Sequence, residues 1–193
     1  MELHLIRHGS TLANEKKLYC GQMDLPLSDA GVAELESLKK HGIYPLSADL
    51  FFTSGMLRAE QTLEIIYGRV GRIRIPDIME YNFGLFEMKC HEELKERGDY
   101  QAWITNEAGD IKCPGGESKK EFAGRVIKGY ADVLHNIGTE GISAIISCHG
   151  GTIACVMEHL QPNSKDFYGW LPQPGRGYKL IYAEGRFCAY KNL

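Results

Sequence analysis

The stretch LHLIRHGST, residues 3–11, places an arginine and a histidine directly after an apolar run. The apolar residues predict a buried strand, and Gly9 predicts a turn at its end. An arginine at the end of a buried strand needs acceptors for its N–H groups, and the neighbouring sequence offers no obvious carboxylate. The stretch therefore raises the question of what binds Arg7.

The composition indicates a globular protein with one domain, which we expect to span residues 1–193. Hydrophobic residues make up 44% of the chain and charged residues 24%, and a chain of this length can bury a sizeable core. A net charge of −3 argues against a general nucleic-acid-binding protein. No window reaches the roughly 18 apolar residues that indicate a membrane span, so we expect no membrane partner.

The cysteines and the N-terminal residues point to the cytoplasm. The six cysteines include no C-x-x-C pair, and the histidines show no metal-ligand spacing, so we expect reduced thiols and no metal site. The chain does not begin with a basic region followed by a long apolar stretch, so we expect no signal peptide.

Predicted strands and helices alternate over most of the chain. Strands are predicted at residues 3–6, 49–53, 73–75 and 142–148, with a closing hairpin at 178–182 and 186–190. Helices are predicted from Ser28 to Gly42, from near Ser54, from Glu117 to Ile137, and from Ile153 to Leu160. This order favours a three-layer α/β/α sandwich with a mostly parallel sheet. The less regular residues 80–118 are predicted to form a small cap over the edge where the strands end.

Arginine or histidine follows three of the predicted strands. The first leads into Arg7 and His8, the second into Arg58, and the fourth into His149. Because the carboxyl ends of strands line the ligand crevice in open α/β sheets, we expect these side chains to converge. Paired N–H donors and helix N-termini suit a phosphate group, and a histidine beside it can act as a nucleophile. The expected partner of Arg7 is therefore a substrate phosphoryl group.

Five motifs in order resemble those of the histidine phosphatase superfamily, whose fold is that of phosphoglycerate mutase. They are LIRHGST at 5–11; Asn14, YCG at 19–21 and DLPLSDAG at 24–31; TSGMLRAEQT at 53–62; EYNFGLFE at 80–87; and PGGES at 114–118 together with CHGG at 148–151. The similarity covers nearly the whole chain.

The resemblance implies an enzyme without a metal or cofactor. It makes His8 the phosphate acceptor, with the phosphoryl group held by Arg7, Arg58 and His149. It makes Glu80 the proton donor. Further phosphate contacts are predicted at Asn14, Gly21 and Gly150.

Elementary chemistry sets conditions on these roles. His8 must be neutral on its attacking nitrogen, and a hydrogen bond from its other nitrogen to nearby backbone would fix that tautomer. Two arginines and a protonated His149 would neutralise the charge on the transferring group. Glu80 must give a proton to the leaving oxygen and then take one from water. Glu87 is the second candidate for this acid, followed by Glu92.

The cap segment favours a phosphatase over a mutase. Phosphoglycerate mutases usually carry arginine-rich insertions after the acidic residue, but Arg97 is the only arginine between Glu80 and Arg125 here. The EYNFGLFE and PGGES motifs look most like the branch that contains α-ribazole phosphatase. A small-molecule phosphate monoester is the expected substrate. The alternatives are a phosphoglycerate mutase, a phosphohistidine protein phosphatase and an inactive phosphoryl-binding module.

Overall fold

The computed structural model describes residues 1–138 and 141–193, which form one six-stranded sheet with helices on both faces. The strands are β1 (Glu2–Arg7), β2 (Leu50–Thr53), β3 (Ile73–Arg74), β4 (Ser143–Cys148), β5 (Gly177–Ala183) and β6 (Arg186–Asn192). The α-helices are α1 (Leu12–Glu15), α2 (Asp29–Lys40), α3 (Leu57–Tyr67), α4 (His91–Leu94), α5 (Gly98–Ile104), α6 (Lys119–Ile137) and α7 (Gly150–Leu160). No helix among these residues is long and apolar enough to cross a membrane.

The sheet order is β3-β2-β4-β1-β5-β6, and its first four strands run parallel. β5 and β6 are antiparallel additions at one side. In the parallel part, Arg7 pairs with Cys148 and Thr53 pairs with Ser147. The chain therefore leaves β1, β2 and β4 at the same edge. The predicted mostly parallel α/β sandwich is confirmed.

Both faces of the sheet are covered, which explains the uninterrupted apolar run of β1. Leu3 and Leu5 belong to the core formed with α6, α7 and the cap segment. Ile6 belongs to the core formed with α2 and α3. Successive side chains of a strand point to opposite faces, so a strand between two helical layers needs apolar residues on both.

The helix signals of the sequence hold, with two shifts. The helix expected from Ile153 begins three residues earlier, at Gly150. The hydroxyl of Ser28 caps α2 by accepting from the Gly31 amide at 3.1 Å, as its sequence position predicts. The helix expected from near Ser54 begins three residues later, at Leu57. Gly55 between them has a φ of +86°, which is incompatible with a right-handed helix, so the chain turns before α3 starts.

Residues 80–118 form the irregular layer that the sequence analysis treats as a cap. They contain α4, α5 and a 3₁₀ turn at Gly84–Phe86. Their buried side chains, among them Phe86, Tyr100 and Trp103, share one core with Phe122 of α6. The segment is therefore packed firmly onto the α6–α7 side of the sheet.

Candidate active site

Arg7, His8, Arg58 and His149 lie together at the edge where β1, β2 and β4 end. The Arg58 Nε–H donates to Nε2 of His8 at 3.2 Å. The rings of His8 and His149 lie with their centroids 5.3 Å apart. Arg7 lies against the first turn of α7, where a Cβ added to Gly150 would be 3.1 Å from the guanidinium carbon. The structure thus brings the four predicted side chains into one cluster.

His8 has the tautomer that nucleophilic attack requires. Its Nδ1 lies 2.7 Å from the carbonyl oxygen of Gly9, which can only accept, so Nδ1 carries the proton and Nε2 keeps its lone pair. Burial, followed by the charges of Arg58 and Arg7, lowers the pKa of His8 well below the ordinary value for histidine. The imidazole is therefore neutral at physiological pH.

His149 is also neutral in this structure, and its protonation beside a phosphoryl group stays a prediction. It is fully buried, and burial together with Arg58 and His8 lowers its pKa well below the ordinary value. Its Nε2 lies 2.8 Å from the hydroxyl of Ser54. A bound phosphate dianion would oppose the shift, because a nearby negative charge favours the imidazolium.

Two buried nitrogens of this cluster have no hydrogen-bond partner among the described residues: Nε of Arg7 and Nδ1 of His149. Arg7 donates from one terminal nitrogen to the carbonyl of Pro172 at 2.7 Å, and no described carboxylate forms an ion pair with it. An unpaired buried polar group costs about 1–3 kcal/mol. An oxyanion could accept from the Arg7 Nε–H and, when the proton of His149 lies on Nδ1, from that nitrogen as well, so the two groups are compatible with an anion site here.

Arg58 is fixed by a backbone loop. Its terminal nitrogens donate to the carbonyls of Met23 at 2.9 Å and Gly21 at 2.6 Å. The amide of Gly21 in turn donates to Glu87 at 2.9 Å. The single backbone donor of Gly21 is therefore engaged by Glu87, and the predicted phosphate contact of Gly21 stays a prediction. The carbonyl of Gly21 orients Arg58.

Asn14 lies beside the cluster and contributes to the lining of a cavity. Its side-chain oxygen accepts from the amide and the hydroxyl of Thr11, both at 3.0 Å, in the capping box of α1. This bond turns the side-chain nitrogen away from Thr11, and no described residue accepts from it. That nitrogen is the group through which Asn14 could contact a phosphate.

Of the three candidate acids, Glu80 is the one at the site. One of its oxygens accepts from the Gly151 amide at 2.9 Å, in the first turn of α7, and the other from its neighbour Tyr81 at 2.9 Å. Glu80 also lines the cavity together with Arg7.

Glu87 and Glu92 are engaged elsewhere. The carboxylate of Glu87 accepts from the amides of Gly21 and Gln22, both at 2.9 Å, and so holds the loop that orients Arg58. Glu92 is exposed and pairs with Lys95 at 2.6 Å. The structure therefore leaves neither of them in position to protonate a leaving group.

A cavity of about 690 Å³ extends outward from Arg7, Glu80 and Gly150, between the cap and helices α6 and α7. Its walls are largely apolar, and seven aromatic residues contribute to them: Tyr19, Tyr81, Phe83, Trp103, Phe122, Phe167 and Tyr168. Such a space can take an organic group attached to a phosphate held at the inner end.

Five residues that contribute to the site were not predicted from the sequence. Ser54 lies inside a recognised motif, yet only the fold brings its hydroxyl to His149. Pro172 acts through its carbonyl, which leaves no side-chain signal. Phe167, Tyr168 and Leu171 line the cavity although they lie far from the cap in the sequence.

The sequence model of the histidine phosphatase superfamily (branch 1) matches residues 3–188. A 2,3-bisphosphoglycerate-dependent phosphoglycerate mutase of Bradyrhizobium diazoefficiens is 31% identical over 170 residues, which cover 83% of this chain and 82% of that protein. A protein of the same name from Beijerinckia indica is 29% identical over 175 residues, 84% of this chain and 83% of its own.

Solved structures share the fold. The α-ribazole phosphatase of Shigella flexneri superposes with a TM-score of 0.83 at 24% identity, covering 97% of this chain and 93% of that one. A phosphoglycerate mutase of Thermus thermophilus superposes with a TM-score of 0.72 at 30% identity, covering 98% of each chain. The match of the family's sequence model to residues 3–188 of this chain shows that the protein belongs to branch 1 of the histidine phosphatase superfamily.

Proposed function

We propose that this protein is a metal-independent, cytoplasmic phosphatase that hydrolyses a small-molecule phosphate monoester through a phosphohistidine at His8. The observation that carries the proposal is the pair of unpartnered buried nitrogens, on Arg7 and His149, beside a neutral His8 whose tautomer suits attack. A phosphoryl group would satisfy both nitrogens and place its phosphorus next to the nucleophile.

In the first step, Nε2 of His8 attacks phosphorus while the bond to the leaving oxygen breaks. Arg58 releases Nε2 and donates to a phosphoryl oxygen instead, alongside Arg7. Glu80 gives its proton to the leaving oxygen, so that an alcohol departs. In the second step the Glu80 carboxylate takes a proton from water, the resulting hydroxide attacks phosphorus, and the N–P bond breaks to release phosphate and free His8.

Hydrolysis is favoured over phosphoglycerate mutation by the lining of the cavity. Arg97 pairs with Asp99 at 2.6 Å and lies over the ring of Phe86, away from the cavity. Among the described residues, Arg7 is the only arginine in the lining. A three-carbon acid would fill little of a largely apolar space of this size, and its carboxylate would find no arginine of the cap.

The aromatic walls suit a leaving group with a planar ring. We propose α-ribazole 5′-phosphate, an intermediate in assembly of the cobalamin nucleotide loop, as the physiological substrate. The aromatic base of this compound could stack on the rings of the cavity. The α-ribazole phosphatase of Shigella flexneri has the same fold, which is compatible with this substrate. At 24% identity, that similarity is evidence for a shared fold and not for a shared substrate.

The second candidate is a 2,3-bisphosphoglycerate-dependent phosphoglycerate mutase. It is favoured by the names of the curated relatives, which are 29% and 31% identical to this chain.

Steady-state assays separate these functions. We expect p-nitrophenyl phosphate and α-ribazole 5′-phosphate to be hydrolysed in EDTA, with the latter preferred by kcat/KM. Interconversion of 3- and 2-phosphoglycerate primed by bisphosphoglycerate, faster than any ester hydrolysis, would establish the mutase instead. Release of phosphate only from a phosphohistidine peptide would indicate a protein phosphatase. If none of these compounds is turned over, the protein would be an inactive phosphoryl-binding module.

A further inference from the structure

The carboxylate of Glu158 faces the same cavity at the far end of α7. Gly151, Cys155 and Glu158 all line the cavity. They follow one another at i, i+4 and i+7, the spacing that places side chains on one face of a helix. Seven residues of α-helix correspond to about 10 Å along its axis. One wall of the cavity therefore runs from the expected phosphate position to a negative charge.

Lys119 and Lys120 both line the cavity, but among the described residues no cation pairs with Glu158. None of the ion pairs in the described part of the chain includes it, and no described group donates a hydrogen bond to its carboxylate. Lys119, also in the lining, points its ammonium group towards the carbonyls of Ile104 and Asn106 at 3.5 and 3.4 Å and over the ring of Trp103. A half-buried carboxylate at a cavity wall is thus left without a compensating charge.

The surroundings of Glu158 disfavour its negatively charged form. Burial, followed by the negative charge of Asp166, raises the pKa of Glu158 above its ordinary value. A positively charged ligand would relieve both effects, because it supplies the missing opposite charge. The aromatic rings of Phe167 and Tyr168 also line the cavity, and ring faces attract cations.

We propose that Glu158 is a specificity-determining residue that binds a positively charged nitrogen on the leaving group. This inference rests on the proposed phosphatase function and defines its substrate class. The favoured esters carry a phosphate at one end and, across a ring or spacer that fits between apolar walls, a protonated nitrogen at the other. Such an ester would be preferred over α-ribazole 5′-phosphate, whose base is neutral at physiological pH.

Two synthetic esters of matched shape test the proposal. O-Phosphotyramine carries an ammonium group across a benzene ring from its phosphate, and 4-ethylphenyl phosphate is a similar ester without the charge. We expect the wild-type protein at pH 8 to favour O-phosphotyramine by about fivefold in kcat/KM, the effect of a partly exposed ion pair of about 1 kcal/mol. Glu158→Gln should reduce the ratio to about one, because it removes the charge that distinguishes the two esters.

Glu36→Gln is the matched control, since it makes the same change in net charge on the exposed face of α2, away from the cavity. It should keep the wild-type ratio. The proposal is overturned if wild-type protein shows no preference, or if Glu158→Gln retains the preference while remaining folded.

Failure of the proposed function would look different. In that case neither ester would be hydrolysed by any variant. Calorimetric titration of the two intact esters then measures the same preference as a ratio of Kd values. Equal affinities, or equal ratios for wild type and Glu158→Gln, would overturn the role of Glu158 independently of catalysis.

Discussion

Arg58 and His8 are joined by a hydrogen bond of 3.2 Å from the guanidinium Nε to the imidazole Nε2. The nitrogen that we propose as the nucleophile is thereby held in place before any substrate arrives. The other imidazole nitrogen is fixed by the carbonyl of Gly9, so the ring cannot turn without losing two hydrogen bonds. Attack requires only that a phosphoryl oxygen replace His8 as the acceptor of the Arg58 Nε–H.

The first prediction concerns the covalent intermediate. Wild-type protein mixed with a ³²P-labelled substrate and quenched in base should retain label that is stable in base and lost in acid, as expected for a phosphohistidine. His8→Ala should abolish the label and lower kcat by more than about 10⁴-fold, because the nitrogen proposed to form the covalent bond is removed. His159→Ala, an exposed histidine at the far end of α7, is the control and should keep the label. Label persisting in His8→Ala would assign the nucleophile to another residue.

The second prediction distinguishes Glu80 from Glu87 through the leaving group. Glu80→Gln should lower kcat/KM for an alkyl phosphate by about 10²- to 10⁴-fold. It should lower kcat/KM for p-nitrophenyl phosphate much less, because p-nitrophenolate departs without a proton. The parameter kcat/KM is used because it reports only the first phosphoryl transfer.

Glu87→Gln should reduce kcat/KM for both esters by the same factor, since this carboxylate acts through the loop that orients Arg58. A large difference between the esters in Glu87→Gln, combined with none in Glu80→Gln, would exchange the two roles.

The third prediction is that stability falls in acid. His149 is neutral in the folded protein because its pKa lies well below the ordinary value of about 6.5. Between that value and the lowered one, the unfolded chain binds a proton that the folded chain does not. The free energy of unfolding should therefore decrease as pH falls below about 6.5, by up to about 1.4 kcal/mol per pH unit for each such histidine.

Urea unfolding at pH 8, 7, 6 and 5 measures this dependence. His8 and His4 contribute in the same direction, since burial lowers the pKa of each. His149→Gln removes one titrating group and should flatten the decline. Parallel curves for wild type and His149→Gln would show that His149 keeps an ordinary pKa in the folded protein.

The fourth prediction compares two glycines inside α6. A Cβ on Gly124 would meet nothing within 4 Å, so Gly124→Ala should stabilise the protein by about 0.5–1 kcal/mol through helix propensity. A Cβ on Gly129 would lie 2.8 Å from the Cβ of Asp77 and 2.9 Å from Cγ2 of Ile78. Gly129→Ala should therefore destabilise by about 1–3 kcal/mol. Chemical denaturation of the two variants checks both values, and equal shifts would show that the Asp77–Ile78 segment can move away from α6.

The sequence predicted the elements whose signals are local. The apolar residues of β1 and β4, the Ser28 cap and the stripe along α6 all depend on neighbours a few positions away in the chain. The start of α3 was misplaced because Gly55 adopts a left-handed conformation that its position in a helix-like pattern does not reveal. For Gly21 the family motif did not reveal that Glu87, 66 residues away in the chain, accepts from its backbone amide.

By itself the sequence determined that arginine and histidine residues would lie at one edge of a parallel sheet. The identity of each residue is fixed by the sequence, and the carboxyl ends of parallel strands lie at the same edge of the sheet. Only the tertiary structure decided the protonation of those groups and the shape of the space beside them. Segments far apart in the sequence bury His149 and surround the unpartnered Nε of Arg7 and the carboxylate of Glu158. The desolvation of these groups therefore depends on tertiary packing, which the sequence does not show directly.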